Sequence, residues 1–195
     1  VCKIANILKA KLIRCFSFFK AYESRDKVIE YMQKMVDVAN KYSVILCHEN
    51  EKDIYGDTLA RTLDVLDNVK GLHCVYDPAN FIQVGEDSKD TLSALHSRAY
   101  YFHIKDFIAQ TGELVPAGEG DGNIDKLVAD IKDDKVLTLE PHLAIFDAYK
   151  SIDDTEMKNK YTFKSNEEAF DYAVKSLKNI LVKNGYKEVK GGFIK

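Results

Sequence analysis

The stretch Ala99-Tyr-Tyr-Phe-His-Ile-Lys-Asp106 decides the fold assignment of this chain. It is a run rich in aromatic residues, which predicts a buried strand. The strand presents His103 and Asp106 where the apolar run ends, and a glycine-rich loop follows at residues 116–122. A buried strand that ends in a metal-capable side chain and leads into a glycine loop is typical of the active-site rim of α/β proteins.

Strand-like and helix-like patterns alternate along the whole chain. We predict strands at 12–19, 43–48, 72–76, 99–105 and 135–139, and helices at 1–10, 24–42, 57–69, 88–97, 124–131 and 166–184. The strands are continuous apolar runs, which indicates that both faces of the sheet are covered. This order predicts an α/β fold, a parallel (β/α) barrel of the TIM type. Because no linker divides the sequence, we expect residues 1–195 to form a single domain.

Four of these strands end at a side chain that can bind a metal: Glu49, Asp77, His103 and Glu140. In a parallel barrel the carboxyl ends of the strands converge on the face where catalysis takes place. Three carboxylates and one imidazole suit one divalent metal ion, with Mn²⁺ or Mg²⁺ favoured and Co²⁺ or Zn²⁺ as alternatives. Two glutamates also offer acid–base chemistry, because one can take a proton from carbon while the other returns one.

Simpler interpretations of the same residues stay open. An acidic side chain after a strand often caps the next helix, and a histidine on an aromatic strand is often a core residue. The glycine loop lacks the strand and helix context of a nucleotide-binding loop, so we expect a flexible turn. His48 should point to the opposite side of its strand from Glu49, so we expect it to be structural. For Arg14 we favour pairing with a neighbouring carboxylate over anion binding.

The bulk composition argues against several classes of function. The formal net charge is −3 and the pI is about 6.0, so no basic surface for a nucleic-acid backbone is indicated. The sequence shows no apolar run long enough for a membrane span and no signal peptide. The four cysteines are scattered without a CxxC pair, which favours reduced thiols in a cytoplasmic protein.

Five short segments carry a family resemblance. They are Val44–Glu51, Val75–Asn80, Tyr101–Asp106, Gly118–Gly122 and Leu137–Pro141. Together and in this order they resemble the sugar phosphate isomerase/epimerase family, which is the xylose isomerase-like TIM-barrel group. The resemblance implies that the four strand-end residues bind one divalent metal ion. It also implies that Glu49 and Glu140 are the catalytic acid–base pair on opposite sides of a bound sugar or sugar phosphate.

Two positions depart from the pattern of this family. Its epimerases usually have a histidine three residues after the metal-binding aspartate, where this chain has Asn80. They usually have an arginine shortly after the metal-binding histidine, where this chain has Ile108. Both residues normally contact substrate oxygens. We therefore expect Asn80 and Lys105 to be the substrate-binding residues, and the choice between epimerisation and another reaction stays open.

The chain is short for a complete barrel of this kind. A TIM barrel has eight strands and about 250 residues, whereas this chain has 195 residues. We expect about six of the eight βα units, with the first two missing at the N-terminus. Missing units would leave unpaired sheet edges. We therefore expect a truncated product, or a gap filled by another chain as in a homo-oligomer.

These observations support one leading function and three alternatives. The leading hypothesis is a metal-dependent isomerase or epimerase that transfers a proton through an enediolate held by the metal. An inosose-type dehydratase of a keto-polyol would use the same metal and base. The endonuclease IV branch shares the barrel but needs more histidines, and Asn80 occupies one of their places. A non-catalytic sugar-binding or inactive fragment is the last alternative.

Overall fold

The structure, a computed structural model, describes residues 1–144 and 158–195. Its strands are β1 Leu12–Cys15, β2 Ile45–Glu49, β3 His73–Tyr76, β4 Ala99–Ile104, β5 Asp106–Ile108, β6 Glu113–Val115, β7 Val136–Leu139, β8 Lys158–Asn159, β9 Lys187–Val189 and β10 Gly192–Ile194. Its α-helices are α1 Cys2–Ile7, α2 Arg25–Lys41, α3 Leu59–Asn68, α4 Pro78–Gln83, α5 Ser88–Leu95, α6 Ile124–Ala129 and α7 Asn166–Lys183. Part of the polar region predicted between the fifth strand and the last helix lies outside the described residues.

Five parallel strands form the main sheet, in the order β1-β2-β3-β4-β7. The sheet is curled into a half-barrel, which confirms the predicted incomplete TIM-type barrel. About six βα units were predicted, but the described part of the chain places five strands in this sheet. The next extended segments, β5 and β6, pair antiparallel in a hairpin of their own, because Gly112 turns the chain with a positive φ of 73°.

Side-chain alternation along the strands separates two layers of the core. On the inner side, Cys47, Val75 and Tyr101 form a small buried cluster. On the helix side, larger apolar residues pack against the surrounding helices. In β4, for example, Phe102 is completely buried in that outer cluster, so its neighbours in sequence face the inner side. The same alternation directs His103 toward the inside of the half-barrel.

The helices cover the outer face of the sheet with regularly spaced apolar residues. In α2 the buried positions are Val28, Met32, Val36 and Ala39, which follow the helical repeat and pack with Leu46 of β2. The predicted long helices at 24–42 and 166–184 are both present as α2 and α7. Within the described residues, no helix is long and apolar enough to cross a membrane. The four cysteines, all in the described part, are free thiols.

Candidate metal centre

The four predicted metal-binding residues come together at the carboxyl ends of four neighbouring strands. Glu49 is the last residue of β2, Asp77 directly follows β3, His103 lies near the end of β4, and Glu140 directly follows β7. One ligand atom from each lies within 4.8 Å of the others. Three of the four side chains are buried, and Glu140 is intermediate. The parallel sheet therefore assembles the cluster that the strand-end pattern predicted.

The imidazole of His103 lies at the centre of the cluster. Its Nδ1 is 2.8 Å from Glu49 Oε1 and 2.8 Å from Glu140 Oε2, and 4.0 Å from Asp77 Oδ2. Burial alone would lower the pKa of His103, but hydrogen bonds and charge from the two glutamates outweigh burial and raise it to about 9. His103 Nδ1 thus hydrogen-bonds Glu49 and lies beside Glu140, at the place where a metal ion would bind.

Both glutamates of the cluster are held in the ionised form. Burial would raise the pKa of Glu140, but His103, His142 and Lys105 bring it far below its usual range. The same opposition lowers the pKa of Glu49, which faces His103 and Arg14. Ionised carboxylates are the form that binds a divalent cation.

Asp77 shows that a capping role and a ligand role can share one carboxylate. Its Oδ1 accepts the backbone N–H of Asn80 at 3.1 Å and so caps α4, with Pro78 at the first helical position. Its backbone N–H donates to Asn50 Oδ1 at 3.0 Å, and the Asn50 amide donates back to the Asp77 carbonyl at 2.8 Å. Only Oδ2 is left to face the cluster.

Two buried oxygens test whether a metal ion fits this site. Asp77 Oδ2 lies 3.0 Å from the Lys105 ammonium and Glu140 Oε2 lies 2.8 Å from His103 Nδ1. Neither contact has the directional geometry of a hydrogen bond, so both oxygens lack a hydrogen-bond partner among the described residues. Buried carboxylate oxygens without a hydrogen-bond partner, together with one imidazole nitrogen, form a set of ligands that fits a divalent ion. His103, Glu49, Asp77 and Glu140 would hold it.

The two predicted substrate-binding residues lie beside the cluster and are bound by protein groups. Lys105 Nζ donates to Asn80 Oδ1 at 2.7 Å, and Asn80 Nδ2 donates to the Asn50 carbonyl at 2.9 Å. Asn80 Nδ2 also lies 3.4 Å from Glu49 Oε1. Both side chains are almost completely buried. They support the metal-binding carboxylates, and their contact with a substrate stays a prediction.

Three other residues discussed from the sequence have defined positions. Arg14 pairs with Glu49, as the favoured interpretation held, with Nη1 2.5 Å from Oε2. His48 faces the helix side of β2 and is completely buried. A Cβ added at Gly56 would lie 2.5 Å from its Cε1 atom. His142 Nε2 lies 3.4 Å from Glu140 Oε1, at the edge of the cluster.

The glycine-rich loop is ordered around Asp106, contrary to the expected flexible turn. The buried carboxylate accepts the backbone N–H groups of Gly118, Gly120 and Gly122 at 2.8, 3.1 and 2.8 Å, and that of Phe107 at 2.9 Å. The loop is therefore an anion-binding arrangement filled by a side chain of the same protein. Alternating glycines after a strand-end aspartate are the sequence signal that could have revealed this role.

The fold and the cluster together define a parallel α/β barrel with a metal-capable centre at the carboxyl ends of its strands. The chain belongs to the xylose isomerase-like TIM barrel family, whose family model matches residues 1–180. A comparison with curated proteins found no match.

Solved structures share the fold at low sequence identity. The probable 3-DHS dehydratase AsbF of Bacillus anthracis is 19% identical, with a TM-score of 0.67 over 93% of this chain and 66% of its own. The IOLI protein with a bound zinc atom is 16% identical, with a TM-score of 0.70 over 94% and 67%. D-psicose 3-epimerase in the presence of D-fructose is 17% identical, with a TM-score of 0.71 over 94% and 68%. The chain thus spans about two thirds of the length of these structures.

Proposed function

We propose that this chain carries the site of a metal-dependent isomerase or epimerase of a small sugar or sugar phosphate. The observation that carries the proposal is the pair of ionised glutamates, Glu49 and Glu140, which come from two different strand ends and each lie 2.8 Å from the same His103 nitrogen. Two carboxylates that approach one centre from different strands can act on opposite faces of a bound substrate.

Each part of the cluster has a role in this chemistry. A divalent ion bound there would hold two neighbouring substrate oxygens and stabilise negative charge that develops on them. One glutamate takes the proton from the carbon next to the carbonyl. For isomerisation it returns this proton to the neighbouring carbon; for epimerisation the other glutamate takes up a proton from solvent and delivers it from the opposite side, while the first releases its proton to solvent. Arg14 and the cluster histidine keep Glu49 ionised and therefore able to accept that proton. Asn80 and Lys105 orient the carboxylates and line the substrate side of the site.

Dehydration of a keto-polyol is the second candidate, and Lys105 favours it. Its ammonium is buried and lies 3.0 Å from Asp77 Oδ2, which places a fixed positive charge beside the metal cluster. Without touching the substrate, such a charge can stabilise the negative charge that develops at the cluster as hydroxide leaves. The fold is also shared with the probable 3-DHS dehydratase AsbF, a protein named as a dehydratase.

Metal content is the first experiment. We expect the purified chain to bind about one Mn²⁺ or Mg²⁺ per molecule, measured by elemental analysis and calorimetry after chelator treatment. Glu140→Gln should weaken this binding by about 10- to 100-fold, because a carboxylate ligand becomes a neutral amide. Glu188→Gln is the matched control, since Glu188 is exposed and pairs only with Lys178 in the described part of the chain. Equal metal binding by the two variants would contradict the proposed site.

Proton transfer is the second experiment. With Mn²⁺ present, we expect deuterium from solvent to enter a ketose at the carbon next to the carbonyl, followed by NMR. Loss of water from an inosose, followed in the ultraviolet, would identify the dehydratase instead. Metal binding without either reaction would leave a sugar-binding protein. We also propose a cytoplasmic location, supported by the four free thiols, and a homo-oligomer stays a prediction for sedimentation analysis.

A further inference from the structure

We infer that the substrate carries a negatively charged group, a carboxylate or a phosphate, and that Arg14 binds this group. The inference rests on the proposed function, because it names the substrate class of the same site.

Arg14 reaches the cluster from β1, the strand next to β2. Its neighbours Ile13 and Cys15 pack with the helix-side cluster, so the alternation of the strand turns Arg14 toward the inside of the half-barrel. Its Nη1 lies 2.5 Å from Glu49 Oε2. The guanidinium is therefore next to a glutamate of the proposed acid–base pair, where a substrate would bind.

The guanidinium is held in place but only partly used by the protein. It carries five N–H donors, and in the described part of the chain its hydrogen bonding amounts to the one contact with Glu49. The guanidinium carbon lies 4.7 Å from the centre of the Phe16 ring, a cation–π contact that helps to hold the group in place. The side chain is 40% exposed. A planar fork with free donors and access to solvent suits a carboxylate or a phosphate.

Lys105, the other cation beside the cluster, is not accessible to a substrate as Arg14 is. It is 6% exposed and its ammonium is already bound by Asp77 and Asn80. The charges that act on Arg14 come from Glu49 and Glu140, the same carboxylates that a metal ion would neutralise. Arg14 is therefore the cation that a substrate can reach.

The charges around the loaded site place the positive charge at Arg14. Three carboxylates would face a divalent ion, the Lys105 ammonium and the Arg14 guanidinium, with His103 neutral as a ligand. This set has one net positive charge, but the Glu51 carboxylate also acts on Lys105 and brings the sum to zero. The positive charge that a substrate can meet is therefore local to the partly exposed Arg14, where a negative group would pair with it.

The experiment compares three ligands of similar size with the Mn²⁺-loaded chain: D-fructose, D-fructose 6-phosphate and 2-keto-D-gluconate. Binding is measured by calorimetry and proton transfer by deuterium exchange. We expect at least one of the two anions to bind about 10-fold more tightly than D-fructose. A preferred phosphate assigns a phosphorylated substrate, and a preferred acid assigns a carboxylate.

Substitutions at Arg14 separate substrate binding from support of Glu49. We expect Arg14→Met to weaken binding of the preferred anion by about 10- to 100-fold, with less than about a threefold change for D-fructose. Arg14→Lys keeps the charge without the planar fork and should give an intermediate loss. Arg98→Met is the matched control, because Arg98 has 35% exposure and also pairs with an acid, Asp67.

Two results would overturn the inference. If wild type binds the three ligands equally, or if Arg14→Met weakens the binding of neutral and anionic ligands by the same factor, Arg14 only positions Glu49. In both cases the proposed function stands, because the loaded chain still transfers protons. A chain that binds no Mn²⁺ and exchanges no deuterium into any of the ligands overturns the proposed function and the inference with it.

Discussion

Asp106→Asn tests whether the glycine-rich loop depends on one buried carboxylate. In the native protein Oδ1 accepts the N–H groups of Phe107 and Gly122, and Oδ2 accepts those of Gly118 and Gly120. Asp106 is 1% exposed; the hydrogen bond from Gly122 is buried, and those from Gly118 and Gly120 are part-buried. The asparagine amide can replace one oxygen but places an NH₂ group where Oδ2 accepted two hydrogen bonds.

The expected loss follows from these four contacts. Two hydrogen bonds to a charged acceptor disappear, and the part-buried N–H groups of Gly118 and Gly120 then face another donor. With about 1.5 kcal/mol for each hydrogen bond to a charged acceptor, the low end of the usual range, the free energy of unfolding should fall by about 3 kcal/mol. For a domain of this size, a loss of 1 kcal/mol lowers the melting temperature by about 2–4 °C. We expect a decrease of about 6–12 °C.

Urea unfolding followed by circular dichroism measures this loss. Asp121→Asn is the control in the same loop, because its carboxylate accepts one N–H group, from Ala109, at an exposed position. We expect the control to lose less than about 1 kcal/mol. If Asp106→Asn unfolds within about 1 kcal/mol of wild type, or no differently from the control, the loop does not depend on this carboxylate.

The remaining predictions concern packing, thiols and metal. Gly56→Ala should lower the free energy of unfolding in urea by about 3 kcal/mol, because its Cβ would lie 2.5 Å from the buried His48 ring and its φ is +137°. Gly85→Ala, the control, has φ +86° and open space around it, and should lower it by about 1 kcal/mol. Equal losses for the two variants would contradict the steric reason. Burial raises the pKa of Cys74 to about 12, so at pH 8 its thiol should stay protonated and should not react with a disulfide reagent. The partly exposed Cys2 should react under the same conditions. Fast labelling of Cys74 in the folded protein would refute this prediction. Mn²⁺ at 100 times its dissociation constant should stabilise the protein by about 2.7 kcal/mol. At the same Mn²⁺ concentration, Glu140→Gln, which weakens binding about 10- to 100-fold, should lose about 1.3–2.3 kcal/mol of that gain in a thermal melt; an unchanged gain would exclude Glu140 as a ligand.

The main sheet could be predicted from the sequence because its signals are local. Each strand is a short apolar run, and each ends at a polar residue that marks the carboxyl edge. The convergence of Glu49, Asp77, His103 and Glu140 then follows from parallel topology alone. Strand alternation also placed His48 on the side opposite to Glu49, and the structure confirms that position.

Contacts between segments distant in sequence were beyond the same reasoning. The Asp106 carboxylate binds N–H groups up to 16 residues later in the chain, and composition suggested only a turn. The hairpin of β9 and β10 is built from largely exposed residues without an apolar run. The short helix α4 was also missed, although Asp77-Pro78 is the cap and first-turn pattern of a helix start. In that case the strand-end interpretation of Asp77 concealed the second role of the same residue.

The electrostatics of the cluster explain how three carboxylates can be packed together before a metal binds. Arg14 pairs with Glu49, Lys105 lies 3.0 Å from Asp77, and His103 Nδ1 lies 2.8 Å from both Glu49 and Glu140. Each acid therefore has at least one basic neighbour that offsets its charge in the metal-free cluster. A metal ion has to replace the His103 proton, because Nδ1 cannot carry a proton and bind the ion at once. Lys105 and Arg14 remain after that exchange. Of these two cations Arg14 is the more exposed, and its accessible guanidinium is the physical basis for expecting an anionic substrate.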